Sequence, residues 1–246
     1  MTALLYQTDS YLKEFTSTVL EDTEQGVVLK ETAFYPGGGG QPADTGILID
    51  ENGNEYNISG LKRIDGRIVH LIDGDKHPTS NSTVTGKIDW ERRYKLMRTH
   101  TALHILCGVI WRDHSAQVTG GNMQPGLGRL DFEFEKMDKS LIGDIKEKIN
   151  AEVQAARPVE IKILAREEAF QIPDLIRTKI NLLPPTITEV RTVNIKGLDL
   201  QADGGTHVAN TLEVGELKIV DYKSKGRINK RIVVRLAEEV NHLQTH

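Results

Sequence analysis

The chain has 246 residues and a formal net charge of −4, with 38% hydrophobic and 27% charged residues. This is globular composition, long enough for one large domain or two small ones, and it excludes nucleic-acid binding through overall basic charge, so any such contact must come from local patches. The single cysteine, Cys107, excludes an intrachain disulfide, no run approaches the roughly eighteen apolar residues of a membrane span, and the start Met1-Thr-Ala-Leu-Leu-Tyr lacks signal-peptide features, so a cytoplasmic protein with no membrane partner is expected.

Residues 1 to about 88 read as short strands and turns. Residues 27–29, Gly46–Asp50, Arg67–Ile72 and Thr83–Ile88 are rich in β-branched and apolar residues, and Asn52-Gly53 and Asp65-Gly66 are hairpin-turn pairs. Strands at such short, regular spacing predict a small barrel. Gly37, Gly38, Gly39 and Gly40 interrupt it. Four glycines carry high backbone entropy. The run is either a flexible surface loop or a segment that must approach RNA or pack tightly on a second domain, and the flanking Tyr35 and Pro36 argue against a mere linker.

Strand chemistry gives way to helical periodicity near residues 87–90, which predicts two domains, 1–88 and 89–246. Asp89 suits the N-cap of a helix over 90–111. Its first turns carry Arg92, Arg93, Lys95 and Arg98, where acids are the usual choice. They read either as a phosphate-facing patch or as a solvated face paired with Asp89 and Glu91. His100 and His104 leave the same helix face one turn apart. Such a pair can share a metal ion, most often zinc, or be packed helix residues; spacing alone leaves both open. Thr101 stands where the zinc-protease motif has its general-base Glu, so protease chemistry is not predicted. Cys107, among Ile105, Leu106, Val109 and Ile110, reads as a packed apolar residue.

Downstream, residues 126–134 form a strand with Leu130, Phe132 and Phe134 alternating, and residues 141–156 a helix with Ile142, Ile145, Ile149 and Val153 on one stripe. A strand over 160–164 and a short helix over 165–170 follow. Pro173, Pro184 and Pro185 then punctuate an irregular stretch, read as a lid or docking edge. A strand over 187–195 leads to Asp203-Gly-Gly-Thr-His207, a second pair of ligand-type side chains around a glycine turn. Two such pairs strengthen the metal reading, with His100, His104 and His207 as ligands. Asp203 is a fourth ligand, a carboxylate orienting a histidine, or the start of the turn. Strands over 215–222 and 228–236 flank a basic tip containing Lys225 and Arg227. The fold class is α+β: a small N-terminal β-barrel and a C-terminal two-layer α/β domain.

The His100-x-x-x-His104 pair with the later Gly204-Gly-Thr-His207-Val208 resembles the editing domain of alanyl-tRNA synthetase and its free-standing relatives, the AlaX family. Phe34-Tyr-Pro-Gly-Gly-Gly-Gly-Gln-Pro42 resembles the Gly-rich segment of the longer AlaX forms, and the C-terminal domain of the longest forms is not expected here. The resemblance implies zinc-dependent hydrolysis of the ester on tRNA for alanine mischarged with serine or, second, glycine. It implies that Gln117, with Thr119 in a similar polar role, lies near the aminoacyl group, both being candidates to bond the extra hydroxyl of serine, and that Gly37 to Gly40 and Gln41 take part in substrate discrimination. It makes Arg92, Arg93, Arg98, Lys225 and Arg227 candidates for gripping the acceptor stem. One departure stands out: the family usually has Cys where this chain has Asp203. Two other classes stay open, a zinc-dependent hydrolase of small esters or amides and a non-catalytic RNA-binding relative.

Overall fold

The computed structural model describes residues 2–133, 137–179, 183 and 186–237; the expectations for Phe134, Pro184 and Pro185 lie outside them. Among the described residues the fold mixes fifteen strands with three α-helices, and no described helix is long and apolar enough to cross a membrane.

Six N-terminal strands hydrogen-bond into a closed ring, in the order Glu14–Thr23, Gly26–Leu29, Arg67–Ile72, Glu55–Ile64, Gly46–Asp50, Thr83–Ile88. Every pairing is antiparallel. Local chemistry sets the corners. Asp65 and Gly66 both take positive φ, 49° and 77°, as a tight two-residue hairpin turn requires. At the other turn the Asp50 carboxylate accepts the Asn52 and Asn54 amides, each at 2.9 Å. Phe15, Val19, Leu29, Phe34, Leu48, Ile58 and Val84 fill the interior. The strands Glu14–Thr23 and Glu55–Ile64 escape the sequence reading because their outward positions are mostly polar and their inward set includes Ser17 and Gly60.

Helix α1 spans Trp90–His114, one turn beyond the expected end, and closes with Ser115 in the left-handed region at φ 51°. Asp89 caps it as expected, accepting the Arg92 amide. From Leu96 through Ile110 every helix residue but the half-buried Arg98 is buried, so the helix works as the spine of the C-terminal part. A four-stranded sheet (Leu217–Ser224, Asn229–Leu236, Leu127–Glu133, Val118–Gln124 in that order) packs against it, as does a three-stranded one (Val159–Ala165, Glu189–Ile195, Asp199–Ala202). Helix α2, Lys139–Gln154, lays Ile142, Ile145, Ile149 and Val153 into the same core. Glycine allows the close approach at one key point. A Cβ at Gly108 would meet Leu198 Cγ at 2.8 Å and Asp199 Cβ at 3.0 Å, so a side chain there would push the Asp199 strand off the helix.

Arg93 joins the two apolar clusters. Its guanidinium is fully buried against an equally buried Asp44, with further bonds to Ser10 O at 2.9 Å and Ala33 O at 2.6 Å. The charge read in sequence as a surface group is therefore a strut between the ring and α1. Arg92 is half-buried and donates to Ala43 O at 3.3 Å.

Candidate metal centre

His100 and His104 project from α1, as their spacing predicts, and His207 comes to them from the turn that follows Asp199–Ala202. Gly205 makes this possible. A Cβ there would lie 2.3 Å from His100 Cε1 and 2.6 Å from Gln41 Oε1. Asp203 completes the group. Its Oδ1 accepts the Gly205 amide at 2.7 Å, so it starts the turn, and the same carboxylate faces the histidines.

All three Nε2 atoms point at that carboxylate: 3.5 Å for His100, 3.9 Å for His104 and 3.1 Å for His207. The four potential ligand atoms lie within 4.8 Å of one another. All three Nδ1 atoms face outward to a protein partner: Gln41 Oε1 at 2.9 Å, Asp199 Oδ2 at 3.1 Å and Thr101 Oγ1 at 3.1 Å. The partners decide where protons sit. The Thr206 amide donates to Gln41 Oε1 at 3.1 Å, so that atom is the carbonyl oxygen and His100 Nδ1–H must donate to it. A carboxylate only accepts, so His104 Nδ1–H donates to Asp199. A neutral ring protonated on Nδ1 presents a lone pair on Nε2, as His100 does here; in the metal-free protein His207 Nε2–H donates to Asp203 Oδ1 and His104 is protonated, inner protons that a bound metal would replace. Histidines that bind metals are held in this way, the second nitrogen donating to an outer acceptor.

Burial and the two carboxylates set the charges of the metal-free cluster. Burial pushes His100 down to about 4 and His207 well below the ordinary histidine range. Burial would raise Asp203, but the surrounding histidines hold it well below the usual carboxylate range. Burial opposes protonation of His104 as well, yet hydrogen bonds to the Asp199 and Asp203 carboxylates raise it to about 9. Three nitrogens and one ionised oxygen form a donor set suited to a divalent transition metal.

The cluster forms part of the wall of a cavity of about 650 Å³. Leu103, Cys107, Val118 and Leu130 give it an apolar side, Gln201 and Ala202 face it from the three-stranded sheet, and Gly39 and Gly40 close one edge. The glycine loop packs on the strand Val118–Gln124: Gly40 O accepts the Met123 amide at 3.1 Å, and all four glycines take positive φ. Gln41 is buried, with Nε2 donating to Thr206 Oγ1 at 2.9 Å, so it braces His100 and the His207 turn. Residues 175–179 tie the two sheets together, through Ala202 N to Leu175 O at 3.1 Å and Val118 N to Arg177 O at 3.0 Å, and Ile176 and Thr178 line the cavity. Burial keeps the Cys107 thiol protonated, in line with its apolar reading.

Other expected site residues are placed differently. Thr119 is at the cavity edge, its hydroxyl donating to Asn229 Oδ1 at 3.0 Å. Gln117 is not among the lining residues. Arg98 turns to Val214 O at 3.1 Å. Lys225 and Arg227 are exposed at the hairpin tip. Sequence reasoning missed Thr101, Asp199 and Gln201. A signal for two of them exists: Asp199, Gln201 and Asp203 alternate along one strand direction, which puts them on one face.

The strand-rich N-terminal ring and the cluster of three histidines and a carboxylate, two of the histidines on α1, sit in a chain whose two parts match aminoacyl-tRNA synthetase modules. Residues 6–92 match the family model for tRNA synthetases class II (A), and residues 190–233, which contain Asp203 and His207, match the threonyl and alanyl tRNA synthetase second additional domain. An alanyl-tRNA editing protein AlaX-M from Saccharolobus solfataricus is 41% identical over 235 residues, covering 94% of this chain and 98% of that protein. One from Methanosarcina barkeri is 38% identical over 243 residues, covering 97% and 100%. The alanine–tRNA ligase of Ignicoccus hospitalis is 35% identical over 255 residues, 99% of this chain but 27% of the ligase. The chain belongs to the AlaX family of alanyl-tRNA editing proteins.

Proposed function

We propose that this protein deacylates tRNA for alanine mischarged with serine, and with glycine second, using a zinc ion held by His100, His104, His207 and Asp203. The observation that carries the reading is the convergence of three Nε2 atoms and one carboxylate beside a cavity, each Nδ1 held by its own outer partner. The names of the relatives support alanyl-tRNA editing as the process. In this reading residues 1–88 form a barrel domain carrying the glycine motif and residues 89–246 a two-layer editing domain.

The need for a second site is physical. An apolar pocket rejects an added hydroxyl only weakly, by about a hundredfold, so a synthetase site for alanine admits serine. In the reaction a water oxygen bonds to the ester carbonyl carbon, the bond from that carbon to the ribose oxygen breaks, and the ribose oxygen takes up a proton. Bound zinc supplies Lewis acidity in the cavity. Gln41, Asp199 and Thr101 hold the imidazoles with their Nε2 atoms inward. Leu103, Val118 and Leu130 exclude bulk water from the aminoacyl end. Gly39, Gly40 and Thr119 border the cavity where the terminal nucleotide enters, and Thr119 remains a candidate contact to the aminoacyl group; Gln117 would need to turn in from outside the lining. Arg92, Arg98, Lys225 and Arg227 are the proposed acceptor-stem contacts, while the buried Arg93 supports α1.

The test is deacylation of seryl- and alanyl-tRNA for alanine, with and without chelator, beside metal analysis. The expected result is about one zinc per chain, release of serine far faster than alanine, and loss of activity on chelation with recovery on adding zinc. Protein that carries no metal and cleaves neither tRNA overturns the reading, and equal cleavage of a small aminoacyl ester without tRNA points instead to a small-molecule hydrolase.

A further inference from the structure

We infer that Gln201 recognises the side-chain hydroxyl of the misplaced amino acid, acting as its hydrogen-bond acceptor. The inference rests on the proposed editing reaction and assigns a residue to its specificity. Gln201 lies on the strand Asp199–Ala202 and lines the cavity, two residues before Asp203. Its amide orientation is fixed by chemistry. One group donates to Asp199 Oδ2 at 2.6 Å, and because a carboxylate can only accept, that group is Nε2. The same nitrogen is 3.4 Å from Cys107 Sγ. The carboxamide oxygen is left over, and it makes no hydrogen bond to any described residue.

The surroundings turn that spare acceptor into a discriminator. Leu103, Cys107, Val118 and Leu130 line the same cavity and offer a small side chain only apolar contact. A serine hydroxyl there can donate to Gln201 Oε1. An alanine methyl cannot, and it covers that half-buried oxygen without replacing the hydrogen bond to water that it displaces. The amide is also pre-set. Asp199 Oδ2, which anchors it, accepts His104 Nδ1–H as well, at 3.1 Å. One carboxylate thus fixes both a proposed metal ligand and the specificity group, which holds the hydroxyl-reading atom in register with the reacting ester.

The experiment measures binding by calorimetry on zinc-loaded protein, using non-hydrolysable 3′-seryl-, 3′-alanyl- and 3′-glycyl-amido adenosine, with seryl- and glycyl-tRNA deacylation as a second readout. Wild type should bind the seryl amide at least about tenfold tighter than the alanyl one. Gln201→Met keeps length and removes the acceptor. It should erase that preference, leave alanyl and glycyl binding within about twofold, and keep one zinc per chain. Should the Met variant fail to fold, Gln201→Ala removes the same acceptor from a half-buried position and serves in its place. A variant that keeps the seryl preference overturns the inference alone. So does a uniform fall for all three amides, since Gln201 then acts only through Asp199 and His104. Wild type that binds none of the amides and cleaves neither tRNA overturns the editing reading, and the inference with it.

Discussion

Two regions of the molecule each bury histidine, and they do it differently. In the ring, His70 is fully buried with both nitrogens matched by neighbours: Nδ1–H donates to Val27 O at 3.2 Å, and Nε2 accepts the Thr32 hydroxyl at 2.8 Å, that hydroxyl oxygen itself accepting the Phe34 amide. In the C-terminal part, His100, His104 and His207 have only the outer nitrogen matched in this way, and their inner nitrogens share one carboxylate. Burial therefore does not mark a site. What marks it is the number of ring nitrogens the fold leaves to a single shared partner.

Removing a histidine from each region should separate the two most sharply. A four-ligand zinc site contributes roughly 10–16 kcal/mol in favourable cases, so losing one ligand costs on the order of 3 kcal/mol of binding or more. His207→Ala should lower zinc affinity by at least about a hundredfold in a competition titration. His70→Phe should leave zinc affinity unchanged and show its effect only as a lower melting temperature. Zinc loss in the His70 variant would erase the distinction.

Acid should sharpen the same contrast. His70 is lowered by burial from 6.5 to about 4, and so is His100 in the metal-free protein. Between those values the unfolded chain binds protons that the folded chain refuses, so stability falls as pH falls through this window, by up to about 3 kcal/mol for each group. His104 runs the other way: raised to about 9, its contribution is complete below 6.5 and is lost as pH rises through 9. Urea unfolding of metal-free protein at pH 7 and pH 4.5 should show a net loss at the lower pH. His70→Phe should remove its own share of that loss and leave the share of His100.

The histidines were legible before the structure because their geometry is local. Four residues along a helix is one turn, and Asp203 to His207 spans a single glycine turn. Arg93 was not legible, since a charge facing solvent and a charge facing Asp44, distant in sequence, look alike in a one-dimensional reading. Asp199, and the bracing role of Gln41, were hidden for the same reason: each acts on a histidine reached only when the ring, α1 and the three-stranded sheet come together. The ring strands rich in Thr, Ser and Glu lacked the apolar runs that betray a strand, although Asp65-Gly66 marked one of their hairpins correctly.

The smallest expected effect tests whether the cluster depends on its backbone as much as on its ligands. Gly204 and Gly205 are adjacent, yet a Cβ at Gly204 meets nothing within 4 Å, while one at Gly205 falls 2.3 Å from the His100 ring and 2.6 Å from Gln41 Oε1. Neither glycine has the positive φ that would strain an L residue, so the two substitutions differ only in what the new methyl touches. Gly204→Ala should leave zinc affinity and melting temperature near wild type. Gly205→Ala must move His100 or Gln41 and so disturb the bond that aims His100 Nε2 inward. Such overpacking costs about 1–3 kcal/mol, enough to weaken zinc binding about tenfold with every ligand still present. The ring offers the matching control. A Cβ at Gly26 would sit 1.9 Å from His70 O, so Gly26→Ala should lower the melting temperature without moving zinc affinity. Equal zinc affinities in the Gly204 and Gly205 variants would mean that the turn can shift freely, and that the convergence of His207 on His100 owes nothing to the close approach of this backbone.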